Sequence, residues 1–112
     1  MTSLKSRLLP VKEMLVAVLP KKTYHYWRPN LSAPFIIWQE DYESDGSQSD
    51  GSKHEQRLHG SIDLYTKTEF DSVADNIQDG LNGISSVSWT YSDVSFEPET
   101  NLIHHNWEFW VM

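Results

Sequence analysis

Residues 57–81, RLHGSIDLYTKTEFDSVADNIQDGL, change their hydrophobic period part-way and so decide the fold class. From Arg57 to Lys67 the period is two. Leu58, Gly60, Ile62 and Leu64 point one way, and Arg57, His59, Ser61, Asp63, Tyr65 and Lys67 the other. Successive side chains of a strand alternate between faces, so the pattern predicts a long strand with one buried side. Beyond it the spacing lengthens to three and four. Phe70, Val73, Ala74, Ile77 and Leu81 then make the apolar stripe of a helix. Thr68 is the expected N-cap, with Glu69 and Asp71 in the first turn, where the helix dipole favours negative charge. Gly80 or Gly83 ends the helix.

Working outward, Leu8, Val11, Leu15, Val18 and Leu19 recur at helical spacing. Pro10 is tolerated in a first turn, which favours a helix beginning near Ser6, capped by Ser6 and ended by Pro20. Thr23 to Trp27 forms a short strand, and Phe35 to Asp41 a second, apolar enough to be central. Val87, Trp89 and Tyr91 alternate in a fourth, and Ile103, His105, Trp107, Phe109 and Val111 in a fifth. The order α-β-β-β-α-β-β is dominated by hairpins. It predicts an α+β fold: a mostly antiparallel sheet of about five strands with two helices packed on one face. The whole chain, 1–112, is read as a single domain. A mobile acidic loop at about 42–56 is marked by two Asp-Gly pairs and a run of serines without apolar residues.

The chain has 112 residues, 38% apolar and 12% aromatic, which suits a folded globular chain and leaves no room for a second core. There are no cysteines, so disulfides, thiolate metal sites and cysteine nucleophiles are excluded. No apolar run is long enough to span a membrane, and no membrane partner or export signal is expected. The net charge of −7 is uneven. Residues 1–28 carry Lys5, Arg7, Lys12, Lys21, Lys22 and Arg28 against Glu13 alone, while the remainder is strongly acidic. An acidic body disfavours general nucleic-acid binding. Charge polarity of this kind favours attraction between copies of the chain, head to tail.

No group of residues carries a complete chemistry. Asp41, Glu43, Asp45 and Gly46 imitate the start of a calcium loop, but Ser52 stands where a bidentate Glu is required, so the segment reads as a solvated acidic loop. His104 and His105 are adjacent on a strand and point to opposite faces, so they cannot share an ion. His104 shares a face with Asn106 and Glu108, too few ligands for a metal. His25, His54 and His59 are scattered. His59, Asp63 and Tyr65 share a strand face and contain the groups of acid–base chemistry, as many polar strand faces do. Tyr24, Tyr26, Trp27 and Arg28 combine rings with positive charge, a mixture that stacks bases in some proteins and packs a core in others. No nucleophile elbow and no glycine-rich phosphate loop is present. The expectation is no enzyme, no cofactor and no metal.

Three patterns give the chain a resemblance to a known family. They are Pro34 to Glu40, an apolar strand ending in an acid; Ile62 to Asp71 followed by Val73, Ile77 and Leu81, a long strand running straight into a capped helix; and the strand His105 to Val111. With the element order, they resemble the tail terminator, or tail-completion and tail-to-head joining, proteins of long-tailed bacteriophages. That resemblance implies a non-enzymatic virion protein at the head-proximal end of the phage tail, assembled in the bacterial host cytoplasm. It implies a homo-oligomeric ring, typically a hexamer, that caps the tail tube, meets the tail tube protein and the head-connector or head completion protein, and touches DNA only in passage through its lumen. The alternative is another small phage structural or adaptor protein, such as a head-connector component. From charge and strand alternation, the interface candidates are Lys12, Lys21, Lys22, Arg28, Asp45, Asp50, His59, Asp63, Tyr65 and Glu69. Removal of residues 44–52 is expected to leave folding intact and to abolish joining of tails to heads.

Overall fold

The computed structural model describes residues 3–28, 30, 32–44 and 57–112. Their elements are α1 (Leu4–Val18), β1 (Thr23–His25), β2 (Phe35–Ser44), β3 (Arg57–Thr66), α2 (Ser72–Asn82), β4 (Val87–Glu97) and β5 (Leu102–Val111). The strands form one five-stranded sheet in the order β1-β2-β3-β5-β4. β1 runs parallel to β2, and the other neighbouring pairs are antiparallel. The fold is therefore α+β in the expected order.

Both helices cover the same face of the sheet. Leu8, Val11 and Leu15 of α1 and Ile77 and Leu81 of α2 meet Ile36, Trp38, Ile62, Leu64, Trp107, Phe109 and Val111 in one buried cluster. Two glycines let this layer close. Gly60 lies beneath Phe109 on the paired strand, and a Cβ there would stand 2.5 Å from the Gln39 carbonyl oxygen. Gly80 lies where α2 crosses α1, and a Cβ there would stand 2.5 Å from Met14 Cγ.

The helix boundaries differ from those expected, for local reasons. α1 starts one turn early because Ser3, not Ser6, is its cap: Ser3 Oγ accepts the Ser6 N–H at 3.1 Å. Pro10 then lies inside the helix. It has no N–H to offer the carbonyl four residues back, but it sits on the exposed side, where water can serve that carbonyl. α2 starts late. Asp71, not Thr68, is its cap, with Asp71 Oδ1 accepting the Val73 N–H at 2.9 Å. Phe70 is consequently outside the helix, is not part of its buried stripe and is 97% exposed. Gly83, not Gly80, is the C-cap of α2.

Strand boundaries shift as well. β1 stops at His25 because Tyr26 takes a left-handed conformation, with φ of 75°. β2 runs on to Ser44, so Tyr42, Glu43 and Ser44 are strand residues; the rest of the segment assigned to an acidic loop, 45–56, lies outside the described residues. β3 is not one-sided: His59 and Tyr65 of the open face are buried along with the apolar residues of the covered face. Tyr65 belongs to a small second cluster on the open face, with Phe35 and Leu102.

Candidate functional site

Three regions of the molecule have organised chemistry. The first is the open face of the sheet. Here β3 and β5 place His59 opposite Trp110, Asp63 opposite Asn106 and Tyr65 opposite His104. His59 is buried between two carboxylates, Nδ1 at 2.6 Å from Asp41 Oδ1 and Nε2 at 3.0 Å from Glu108 Oε1. Tyr42 stacks on the ring of His59 at 4.6 Å, and Trp110 meets it edge-on at 5.1 Å. Two repeats further along the strands, His104 Nε2 meets Asp63 Oδ1 at 2.6 Å, Asn106 donates to the same oxygen at 2.9 Å, and Tyr65 stacks on His104 at 4.4 Å. Arg28 lies over the Tyr65 ring at 4.7 Å and 3.8 Å from Glu97. Burial, with Asp63 adding to it and Arg28 opposing, pushes the Tyr65 phenol above its ordinary pKa.

The second region is a cleft of about 390 Å³ between α2 and the β4–β5 hairpin, lined by Phe70, Ala74, Tyr91, Val94 and Ile103 with Glu69, Asp71 and Asp75 at its rim. Tyr91, Val94 and Phe96 are on the helix-covered side of the sheet but are 43%, 49% and 57% exposed, because α2 leaves this end of the hairpin uncovered. His105 and Tyr91 meet at the cleft, Tyr91 Oη to His105 Nδ1 at 2.8 Å. Burial, reinforced by His104 and opposed by Asp71, lowers the His105 pKa, while burial and then Asp93 raise that of Tyr91. These directions suit a Tyr91 hydroxyl that donates a hydrogen bond to His105 Nδ1.

The third region is the outer side of α1 and the adjoining β1 edge. Lys5, Leu9, Lys12 and Val16 recur at intervals of four, three and four on one ridge of the helix. Shallow hollows of about 300 and 410 Å³ flank this ridge. His25 stacks on Trp38 at 3.9 Å, and Glu40 receives hydrogen bonds from His25, at 2.7 Å, and Tyr26. Burial alone would raise the Glu40 pKa, but the bonds from Tyr26 and His25 outweigh it and hold the carboxyl below its ordinary value.

These placements sort the sequence-derived candidates. Lys12, Lys21, Arg28 and Glu69 are exposed. Lys22 is half-buried and donates to the Ser32 carbonyl at 2.6 Å. His59, Asp63 and Tyr65 are engaged within the chain and are not brought together: His59 pairs with Asp41 and Glu108, and Asp63 with His104. Asp45 and Asp50 lie outside the described residues, as do Gly46, Ser52 and His54. Of the calcium-like acids, Asp41 is taken by His59 and Glu43 by Arg7 at 2.7 Å. No group of three or more His, Asp or Glu among the described residues is arranged to hold a metal. His104 and His105 are both half-buried, on opposite faces of the sheet. The aromatic–basic run does not form one platform: Tyr24 packs with Phe35 and Tyr65, Tyr26 stacks on His25, and Trp27 is 76% exposed. No described helix is long and apolar enough to cross a membrane.

The cleft itself was not legible from residue spacing. Val94 and Phe96 continue the alternation of Val87, Trp89 and Tyr91 only after a one-residue slip, and the ladder is bulged there, between Tyr91 and Asp93. A broken period followed by two apolar residues before a turn is the signal that marks it.

The chain matches no known family model and no curated protein. Among solved structures it shares its fold with a chain from the virion of a native gene transfer agent particle. The TM-score is 0.57 at 10% sequence identity, over 97% of this chain and 92% of that one. At that identity the likeness is one of fold.

Proposed function

We propose that this protein is a non-enzymatic structural component of a phage-like virion. In the finer reading it is a tail-completion protein. It forms a ring, expected to be hexameric, at the head-proximal end of the tail, caps the tail tube and offers its other side to the head connector. Its partners are then copies of itself, the tail tube protein and the head-connector protein, with DNA passing through the lumen. The observation that carries this reading is the fold shared end to end with a chain of a gene transfer agent virion. The family resemblance of the strand-to-helix passage Ile62 to Asp71 points the same way. The open-face histidines support it too, because each is held in hydrogen bonds and stacking within the chain. Fold likeness alone carries function only by analogy, so the test is made on particles.

That test is to inactivate the gene in the element that encodes it and to image the particles by electron microscopy. Filled heads lying beside unjoined tails of irregular length support the tail-completion reading. Tails of uniform length beside leaking heads shift the role to the head connector. Particles of normal form and infectivity exclude both.

A further inference from the structure

The uncovered end of the hairpin and the ridge on α1 have complementary chemistry. We infer that two copies of this chain dock head to tail, with the Lys5–Leu9–Lys12–Val16 ridge of one copy seated in the α2–hairpin cleft of the next. The inference rests on the reading of the chain as a self-assembling virion subunit and names the surfaces that mate.

The cleft has features that folding of the single chain does not explain. Phe70 is 97% exposed and holds a left-handed φ of 55°, a conformation unfavourable for a side chain of its size. Tyr91 and Val94 line the same cleft and stay exposed, and Phe96 further along β4 is exposed too, apolar area that a monomer has no reason to keep in water. A strained, exposed aromatic at the edge of an apolar cleft is a feature that points to binding.

Charge selects the occupant. The rim carries Glu69, Asp71 and Asp75, and no Lys or Arg is among the described residues lining the cleft. Nucleic acid and anionic membranes are repelled by such a rim. The occupant must be apolar with positive charge beside it. The α1 ridge has that composition: Leu9 and Val16 supply apolar contact, and exposed Lys5 and Lys12, about 10 Å apart along the axis, supply the charge. Glu13 is the sole acid of that helix.

Position makes the contact heterologous. The α1 ridge lies by β1 and β2 at one edge of the sheet, and the cleft lies by β4 and β5 at the other. Each copy can therefore give its ridge to one neighbour and its cleft to another, the geometry that closes into a ring or continues as a filament.

The absence of cysteine supplies a clean test. Single variants V16C and V94C, both at exposed positions, are mixed under mild oxidation at concentrations where the wild type self-associates in light scattering. A V16C–V94C disulfide formed in several-fold excess over V16C–E99C supports the docking, and equal yields overturn it. Charge reversal is the second arm. K12E and D75K should each weaken association roughly tenfold, and an equal mixture of the two should restore it in part through the swapped pair. Unchanged association in both overturns the inference, as does a wild type that stays monomeric at every concentration. Rings that persist without the V16C–V94C link disprove these surfaces and leave the virion role intact. Normal particles made without the protein disprove that role and leave the docking intact.

Discussion

The two faces of the sheet are built from the same strands and held by different physics. On the face beneath the helices, Ile36, Ile62, Leu64, Trp107 and Phe109 are fully buried and hold together by shape and by exclusion of water. On the open face, one residue along each strand, the order comes from pairs. His59 is clamped by Asp41 and Glu108 beneath Tyr42, and His104 is held by Asp63 beside Tyr65. Each pair is a hydrogen-bonded imidazole covered by a ring. The two histidines of this face are therefore already engaged within the chain. Exposed apolar side chains, Tyr91, Val94 and Phe96, gather at the hairpin end that α2 does not reach.

This comparison predicts unequal sensitivities, and the covered face should dominate. Trp107→Ala removes the largest fully buried side chain and should cost about 3–5 kcal/mol, read as a shift in the urea midpoint at constant slope. Gly60→Ala should cost about 2 kcal/mol, because the added methyl meets the Gln39 carbonyl and the Phe109 ring. A smaller loss for either would mean that the covered face repacks easily. His59→Ala, on the open face, should cost only about 1 kcal/mol, since Asp41 and Glu108 are partly exposed and regain water. A loss as large as that of Trp107→Ala would make the open face a second core.

Smaller effects follow at the cleft. The His105 pKa is lowered, first by burial and then by His104, so the folded state binds this proton more weakly than the unfolded chain. Its contribution to stability is full above the ordinary value of 6.5 and is lost as pH falls below it. The urea midpoint should decline over that range in the wild type and less steeply in H105Q. Glu40, with its lowered pKa, adds a further loss as pH falls below 4.5. Least of all, Phe70→Asn should leave stability within about 0.5 kcal/mol, since the ring packs on nothing and Asn accepts a left-handed backbone. The same variant should lower self-association, which separates a docking role from a structural one.

The switch from a two-residue to a helical period after Lys67 carried the α+β order, and strand alternation carried most of the buried set. Cap positions were harder. Thr68 and Asp71 are both sound caps, and the choice depended on Val73 N–H finding Asp71 Oδ1. Ser3 and Ser6 competed in the same way at α1. The open-face pairs were invisible for a different reason: Asp41 and Glu108 stand far from His59 in sequence and reach it only through the β2–β3 and β3–β5 registers.

By itself the sequence determined the local periods, hence the order of helices and strands, and the split between a basic start and an acidic remainder. Tertiary structure alone decided which strands became neighbours, which carboxylates His25, His59 and His104 received, and where the helices stopped short of the hairpin. The physical reason is range. Hydrophobic period and capping act within a few residues, whereas burial, pairing and uncovered surface depend on residues that the chain brings together only when it folds.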